Sequence, residues 1–408
     1  MLLLGGMMGH SASPEDTYRR LQVFTEVLAK IKGDYVEEPN MATVTLGALN
    51  GLLESIDPYA SYLSADQYKQ YLKNRDSNRP SVGLILARRF GYLSIVSAIP
   101  GSPAAKAGLG TGDMLETING VSTRDMPLAY AEIMFQGEAG STVEVSALRF
   151  RKPEPQKISM TRAIVVMPSV TSKMLEGQIG YVQAQSLDSS KVKDVATAVA
   201  ALDKQGAQKL VLDLRMCTAG QPEDGLILAN LFMEKGQIGY LQGQKVAKKV
   251  FDADPAKTIF RKPMVVLINR GTAAAAEVAS AALLESKRAE VVGERSYGDA
   301  SMRKAITMED GAAVILSVAK YYAPNGKAIQ DTGVTPSVAQ AEQEAAAETE
   351  EEDATEPAAK KTTGEDILLK KGLEVLTKGK PEAKQASDTR KKEEAAPAMA
   401  PLNIPKPR

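Results

Sequence analysis

The sequence predicts a multidomain α/β chain with a helical N-terminal segment, a β-rich module and a layered core. Three observations carry this reading. Apolar residues near the N-terminus recur every three or four positions; short β-branched runs punctuated by glycine follow; beyond these, apolar runs alternate with segments of helical period. With 408 residues, 44% hydrophobic and 25% charged, the chain is long enough for roughly two to four domains.

Tyr18, Leu21, Phe24 and Leu28 set the helical period, and Val44, Leu46, Leu49, Leu52 and Leu53 continue it less regularly. The helical region is expected over 14–79, interrupted at Asp57-Pro58, with Ser64 and Asp66 capping a last helix. Strands are expected at 82–86, 92–96, 114–118 and 142–148, within a β-rich domain over 80–167. The core, 168–339, should alternate strands at 179–183, 209–214, 264–269 and 289–292 with helices at 190–204, 225–233 and 273–286. An acidic insertion follows at 340–363, with Glu350, Glu351, Glu352 and Asp353 in a row, a composition that favours disorder. A closing helix is expected at 364–379, through Ile367, Leu368, Leu373 and Leu376. The Lys/Ala/Pro tail at 380–408 is a poor core former.

Composition excludes several functions. Fifty basic residues balance fifty acidic ones, so no generalised nucleic-acid footprint is expected. The single cysteine, Cys217, excludes an internal disulfide framework and a thiolate metal site made by this chain alone. The single histidine, His10, lies far from every later motif, which excludes Ser-His-Asp and Cys-His catalysis in the body of the chain. A Ser-Lys dyad, a carboxylate pair or no chemistry at all remains. No metal and no cofactor is called for. Residues 1–13 read as the end of an export signal whose basic start lies upstream, or as an ordinary chain end. The first reading implies an extracytoplasmic protein, in the periplasm or on the outer face of the inner membrane, with an N-terminal anchor if the true start is upstream.

Two sets of motifs resemble known families. Pro100-Gly101-Ser102-Pro103-Ala104, Ala107-Gly108-Leu109, Gly112-Asp113 and Ile118-Asn119-Gly120 resemble a bacterial PDZ domain, in which the proline starts a helix and Asn-Gly makes a hairpin turn. Ser55-Ile56-Asp57-Pro58-Tyr59, Asp213-Leu214-Arg215, Gly293-Glu294-Arg295-Ser296-Tyr297-Gly298 and Tyr321-Tyr322-Ala323-Pro324-Asn325-Gly326 resemble, in order, the carboxyl-terminal processing (tail-specific) serine peptidases. The resemblance implies a tail-specific protease core with ClpP/crotonase-like layers.

The same resemblance exposes departures. The family's nucleophile position is Ala274, in Thr272-Ala273-Ala274-Ala275-Ala276-Glu277. Its general-base lysine is Asp299, its assisting glutamine is Arg303, and its oxyanion-region loop ends in Ala219-Gly220. A methyl group cannot attack a carbonyl, and a carboxylate at the base position carries the wrong charge. Thr272, Ser280, Ser296, Ser301 and Cys217 are nearby alternatives as nucleophiles and Lys304 as an amine; each reads better as a cap, turn, surface or packing residue. Asp299 and Arg303 have opposite charges and could pair, and Lys320 reads as structural.

The leading expectation is therefore an inactive relative that binds polypeptide C-termini by strand addition, with the carboxylate at Val82, Gly83, Leu84 and Ile85. The alternatives are a serine endopeptidase with a non-standard nucleophile and a structural partner of an active paralogue. Homo-oligomerisation is a further option.

Overall fold

The computed structural model describes residues 14–75, 79–89, 91–124, 126–149, 154–342 and 366–378. The segment read as an export signal, most of the acidic insertion and the Lys/Ala/Pro tail lie outside these residues.

The chain opens with helices Pro14–Asp34 and Met41–Glu54. Asn40 caps the second, its Oδ1 accepting the N–H groups of Ala42 and Thr43 at 3.0 and 3.2 Å. The expected helix after Ser64 forms at Ala65–Arg75. Within the region expected to be helical, however, Ser61–Leu63 is a strand antiparallel to Ala313–Tyr322. Its partner is 250 residues away in sequence, so no local pattern announces it.

The β-rich module is a sheet ordered Leu84–Arg89, Tyr92–Ala98, Met114–Ile118, Thr142–Leu148 and Gln156–Thr161, antiparallel throughout. Asn119 and Gly120 both have positive φ, 50° and 76°, the signature of a type I′ hairpin turn. Pro103 opens a short helix capped by Ser102 Oγ, which accepts the Ala105 N–H at 3.2 Å. A second helix, Leu128–Phe135, was not expected. Leu128, Ala131 and Phe135 enter the module's core, while Ala129 packs with Leu63 and Ile315 outside it. A helix covered on two sides has no amphipathic period to read.

The core is built on a sheet ordered Val338–Ala339, Glu290–Gly293, Met264–Ile268, Lys209–Asp213, Ile179–Gln183 and Thr171–Leu175. The first five strands run parallel; the last is antiparallel to its neighbour. Leu210, Leu212, Val266 and Ile268 face helices Ser189–Lys204, Pro222–Asn230 and Ala275–Glu285. Val211, Val265 and Leu267 face the closing helix Ile367–Lys378 through Leu368 and Val375. Burial on both faces is why these strands are continuous apolar runs in the sequence. A second sheet joins Ser61–Leu63, Ala313–Tyr322, Gln237–Gln242 and Lys249–Asp252, with Ser301–Thr307 also on Ala313–Tyr322.

Arg215 fastens the closing helix. Its guanidinium holds fully buried Asp213 at 2.6 Å and Asp366 at 2.8 Å, and lies 3.5 Å from Glu342. Asp366 Oδ1 in turn accepts the Leu369 N–H at 2.9 Å, capping that helix. Glu342 and Gln340, whose N–H donates to the Gly293 carbonyl at 2.9 Å, are thus held on the core. Among the described residues, no helix is long and apolar enough to cross a membrane.

Candidate active site

The carboxyl ends of the parallel strands lead into three loops that meet at the start of helix Ala275–Glu285, the usual place for a site in an open α/β sheet. Ala274 caps that helix with φ 52° and ψ −119°, a strained backbone for any residue with a Cβ. Thr272 fixes the approach to it: its hydroxyl donates to the Leu214 carbonyl at 2.9 Å and accepts the Asn269 N–H at 3.0 Å. The Cys217 carbonyl accepts the Ala273 N–H at 2.9 Å, which joins the 214–220 loop to the helix start.

Glu277, wholly buried, organises the site. Its Oε2 accepts the N–H groups of Ala274, at 3.2 Å, and Asp299, at 2.7 Å. Its Oε1 accepts the Gly298 N–H at 2.6 Å and the Ser296 hydroxyl. One carboxylate oxygen therefore bridges the backbone at 274 and at 299. Burial pushes the Glu277 carboxyl up to about 7, against the pull of these donors. Sequence reasoning gave Glu277 no role; the available signal was one acid in an otherwise uncharged run from Gly271 to Leu284.

Asp299 and Arg303 form an ion pair, and the Arg303 guanidinium stacks over the Tyr59 ring at 4.1 Å. Tyr59 meets Tyr297 edge to face at 6.4 Å. Burial raises the Asp299 carboxyl above its usual range, with Arg303 opposing. Asp57, beside Tyr59, accepts the Ser317 N–H at 2.9 Å and so ties this segment to the second sheet. Glu132, exposed on helix Leu128–Phe135, lies within electrostatic reach of both Asp299 and Arg303. The contributions of Tyr59, Asp57 and Glu132 depend on tertiary placement and went unread.

The remaining hydroxyls are engaged or enclosed. Ser296 Oγ donates to Glu277 and accepts the Val334 N–H at 2.6 Å; Ser301 Oγ lies 2.8 Å from Ser317 Oγ; Ser280 is fully buried in the helix. Cys217 is fully buried, and burial, then the Asp213 charge, raises its thiol, keeping it protonated. Lys304 is exposed on strand Ser301–Thr307, and Lys320 pairs with Asp331 at 2.7 Å. Gly220, at φ 125°, passes so close to Leu187 that a Cβ would sit 2.2 Å from its carbonyl oxygen; Ala219 bridges to Ser186. Among the described residues, no group of three or more His, Cys, Asp or Glu is placed to hold a metal ion.

At the other expected site, strand Leu84–Arg89 lies at the edge of its sheet, so one side of its backbone faces no strand of that sheet. Gly83 has φ 78°, and a Cβ there would fall 2.4 Å from Ser102 Cβ. Two details describe its surroundings. Val82 is fully buried in the module's core. The Gly83 N–H donates to Ser81 Oγ at 3.3 Å. Leu84 and Ile85, both half-buried, pack against that core.

Comparison with known proteins places this architecture. Residues 178–340 match the model of peptidase family S41, and residues 94–149 match the PDZ domain. The chain is 32% identical over 333 residues to the carboxy-terminal processing protease CtpA of Bacillus subtilis, covering 80% of this chain and 70% of that one. It is 30% identical to the carboxy-terminal-processing protease of Bartonella bacilliformis, covering 79% and 76%. Among solved structures, the photosystem II D1 C-terminal processing protease superposes with a TM-score of 0.67 at 27% identity, over 80% of this chain and 88% of that one. The chain therefore belongs to peptidase family S41, among the carboxy-terminal processing proteases, and carries a PDZ domain.

Proposed function

We propose that this chain is a pseudopeptidase of its family, which binds polypeptide C-termini without cutting them. The observation that carries the reading is the helix start: Ala274 keeps a strained backbone there but offers only a methyl group, and Asp299, at the base position, is paired with Arg303. A Ser-Lys dyad needs an attacking oxygen and a neutral amine, and neither position supplies one. The alternative nucleophiles are hydrogen-bonded or buried, which weighs against an endopeptidase of unusual design. The PDZ module supports the binding half, because its edge strand Leu84–Arg89 can take an extended chain by strand addition. C-terminal processing, named for the relatives, supplies the ligand class, and an extracytoplasmic location accords with the reading of residues 1–13.

The test is digestion of casein and of a tailed substrate, beside fluorophosphonate labelling, with the wild type and with Ala274→Ser, Asp299→Lys and the double variant. The wild type and both single variants should be inactive and unlabelled, because nucleophile and base act as a unit. Reproducible wild-type turnover that disappears on replacing Thr272, Ser280, Ser296, Ser301 or Cys217 would make the chain an enzyme. Binding is checked with paired peptides, free acid against amide; equal affinity would remove the carboxylate from the account.

A further inference from the structure

Helix Leu128–Phe135 packs beside strand Leu84–Arg89, the edge strand of the PDZ sheet. Leu128, Ala131 and Phe135 turn into the module's core, against which Leu84 and Ile85 also pack. Glu132, on the same helix, is exposed, and its carboxylate holds no ion pair or hydrogen bond among the described residues. Arg303 lies within its electrostatic reach but is already paired with Asp299 and stacked on Tyr59. Glu132 and Asp299 against Arg303 leave a net negative charge at this place. One turn on, Gln136 ends the helix, and its Oε1 is buried and accepts no hydrogen bond. Leu128, Glu132 and Gln136 follow at spacings of four, which sets them on one line along the helix. Buried acceptors are ordinarily satisfied, so this line lacks a donor.

We propose that Glu132 selects polypeptide C-termini that carry a lysine or arginine third from the end. This selectivity rests on the reading of the module as a binder of C-termini. The direction of the helix fixes the position. Its last turn lies beside the loop expected to seat the terminal carboxylate, for the Gly137 N–H donates to the Pro80 carbonyl at 3.1 Å. From Gln136 back to Glu132 is one helical turn, about 6 Å, and a strand advances about 3.3 Å per residue. A chain added to Leu84–Arg89 with its carboxylate at that loop therefore brings its third residue from the end level with Glu132. Alternation along a strand turns the last and third-last side chains to the same side, so a contact of one with the helix implies the other. An ammonium or guanidinium there meets the Glu132 carboxylate and brings several donors to a line that holds an unmet acceptor.

The test is fluorescence anisotropy on the full chain at pH 8, where the Glu132 carboxyl, raised to about 7 by desolvation with Arg303 opposing, is charged. The probes are labelled peptides that end in an apolar residue and a free carboxylate, with Lys, Arg, Ala or Glu third from the end. Lys and Arg should bind about tenfold more tightly than Ala, and Glu more weakly than Ala, a spread that narrows with added salt. Glu132→Gln should level the series, and Glu132→Lys should favour the Glu peptide, both with an unchanged thermal unfolding midpoint. Moving the basic residue to second or fourth from the end should remove the gain. Equal affinity across the wild-type series overturns the proposal. So does a preference that Glu132→Gln retains, or one that survives the move. Failure of every peptide to bind instead removes the reading of the module as a C-terminus binder, and this selectivity with it.

Discussion

Glu277 and Asp299 are neighbouring acids, the Asp299 backbone N–H donating to the Glu277 carboxylate, yet the surroundings of their side chains differ sharply. Glu277 is wholly buried and accepts four donors, three of them backbone N–H groups, so it fixes where the chain runs at 274, 298 and 299. Asp299 is partly exposed, and its carboxylate meets the Arg303 guanidinium. The contrast separates the frame of the site from the side chains at its edge. A frame built from backbone donors on a buried acceptor is costly to alter. A side chain at the solvent edge can change identity while the frame stands.

The largest expected effect breaks the frame. Glu277→Ala leaves the N–H groups of Ala274, Gly298 and Asp299 without this acceptor and opens a cavity, at a cost of roughly 3–5 kcal/mol. Urea unfolding followed by circular dichroism measures it; a loss below 1 kcal/mol would show that Glu277 does not hold the loops. The same residue imposes a pH dependence. Its carboxyl is raised from 4.5 to about 7 in the fold, so the protonated form favours folding. That contribution is fully present below pH 4.5 and is lost as pH rises through 7, a decline of about 3 kcal/mol that the alanine variant should lack.

A smaller change relaxes the frame instead. Ala274→Gly removes the Cβ from a residue at φ 52° and should raise stability by about 1 kcal/mol. A fall in the unfolding midpoint would mean that the alanine methyl outweighs the strain. The smallest effect belongs to the other partner of the comparison. Arg303 and Asp299 side chains are 31% and 24% exposed, so Arg303→Ala should cost no more than about 1 kcal/mol, stacking on Tyr59 included. A loss as large as that of Glu277→Ala would erase the distinction drawn between the two carboxylates.

By itself the sequence determined the parallel core and the hairpin at Asn119-Gly120. Doubly buried strands such as Met264–Ile268 are unbroken apolar runs, and a type I′ turn needs two residues that tolerate positive φ. It also fixed the side chains on which the proposed inactivity rests, a methyl group at Ala274 and a carboxylate at Asp299. Only tertiary structure decided the rest. Ser61–Leu63 is a strand because Ala313–Tyr322 comes to it across the fold, and Ser301–Thr307, polar at four of its seven positions, is held by that same neighbour. Glu277 becomes the hub of the site, and Tyr59 the platform for Arg303, through contacts across 22 and 244 positions of sequence. Local propensity describes a residue among its neighbours along the chain; burial, and the donors a carboxylate meets once buried, are set by segments that only folding brings together.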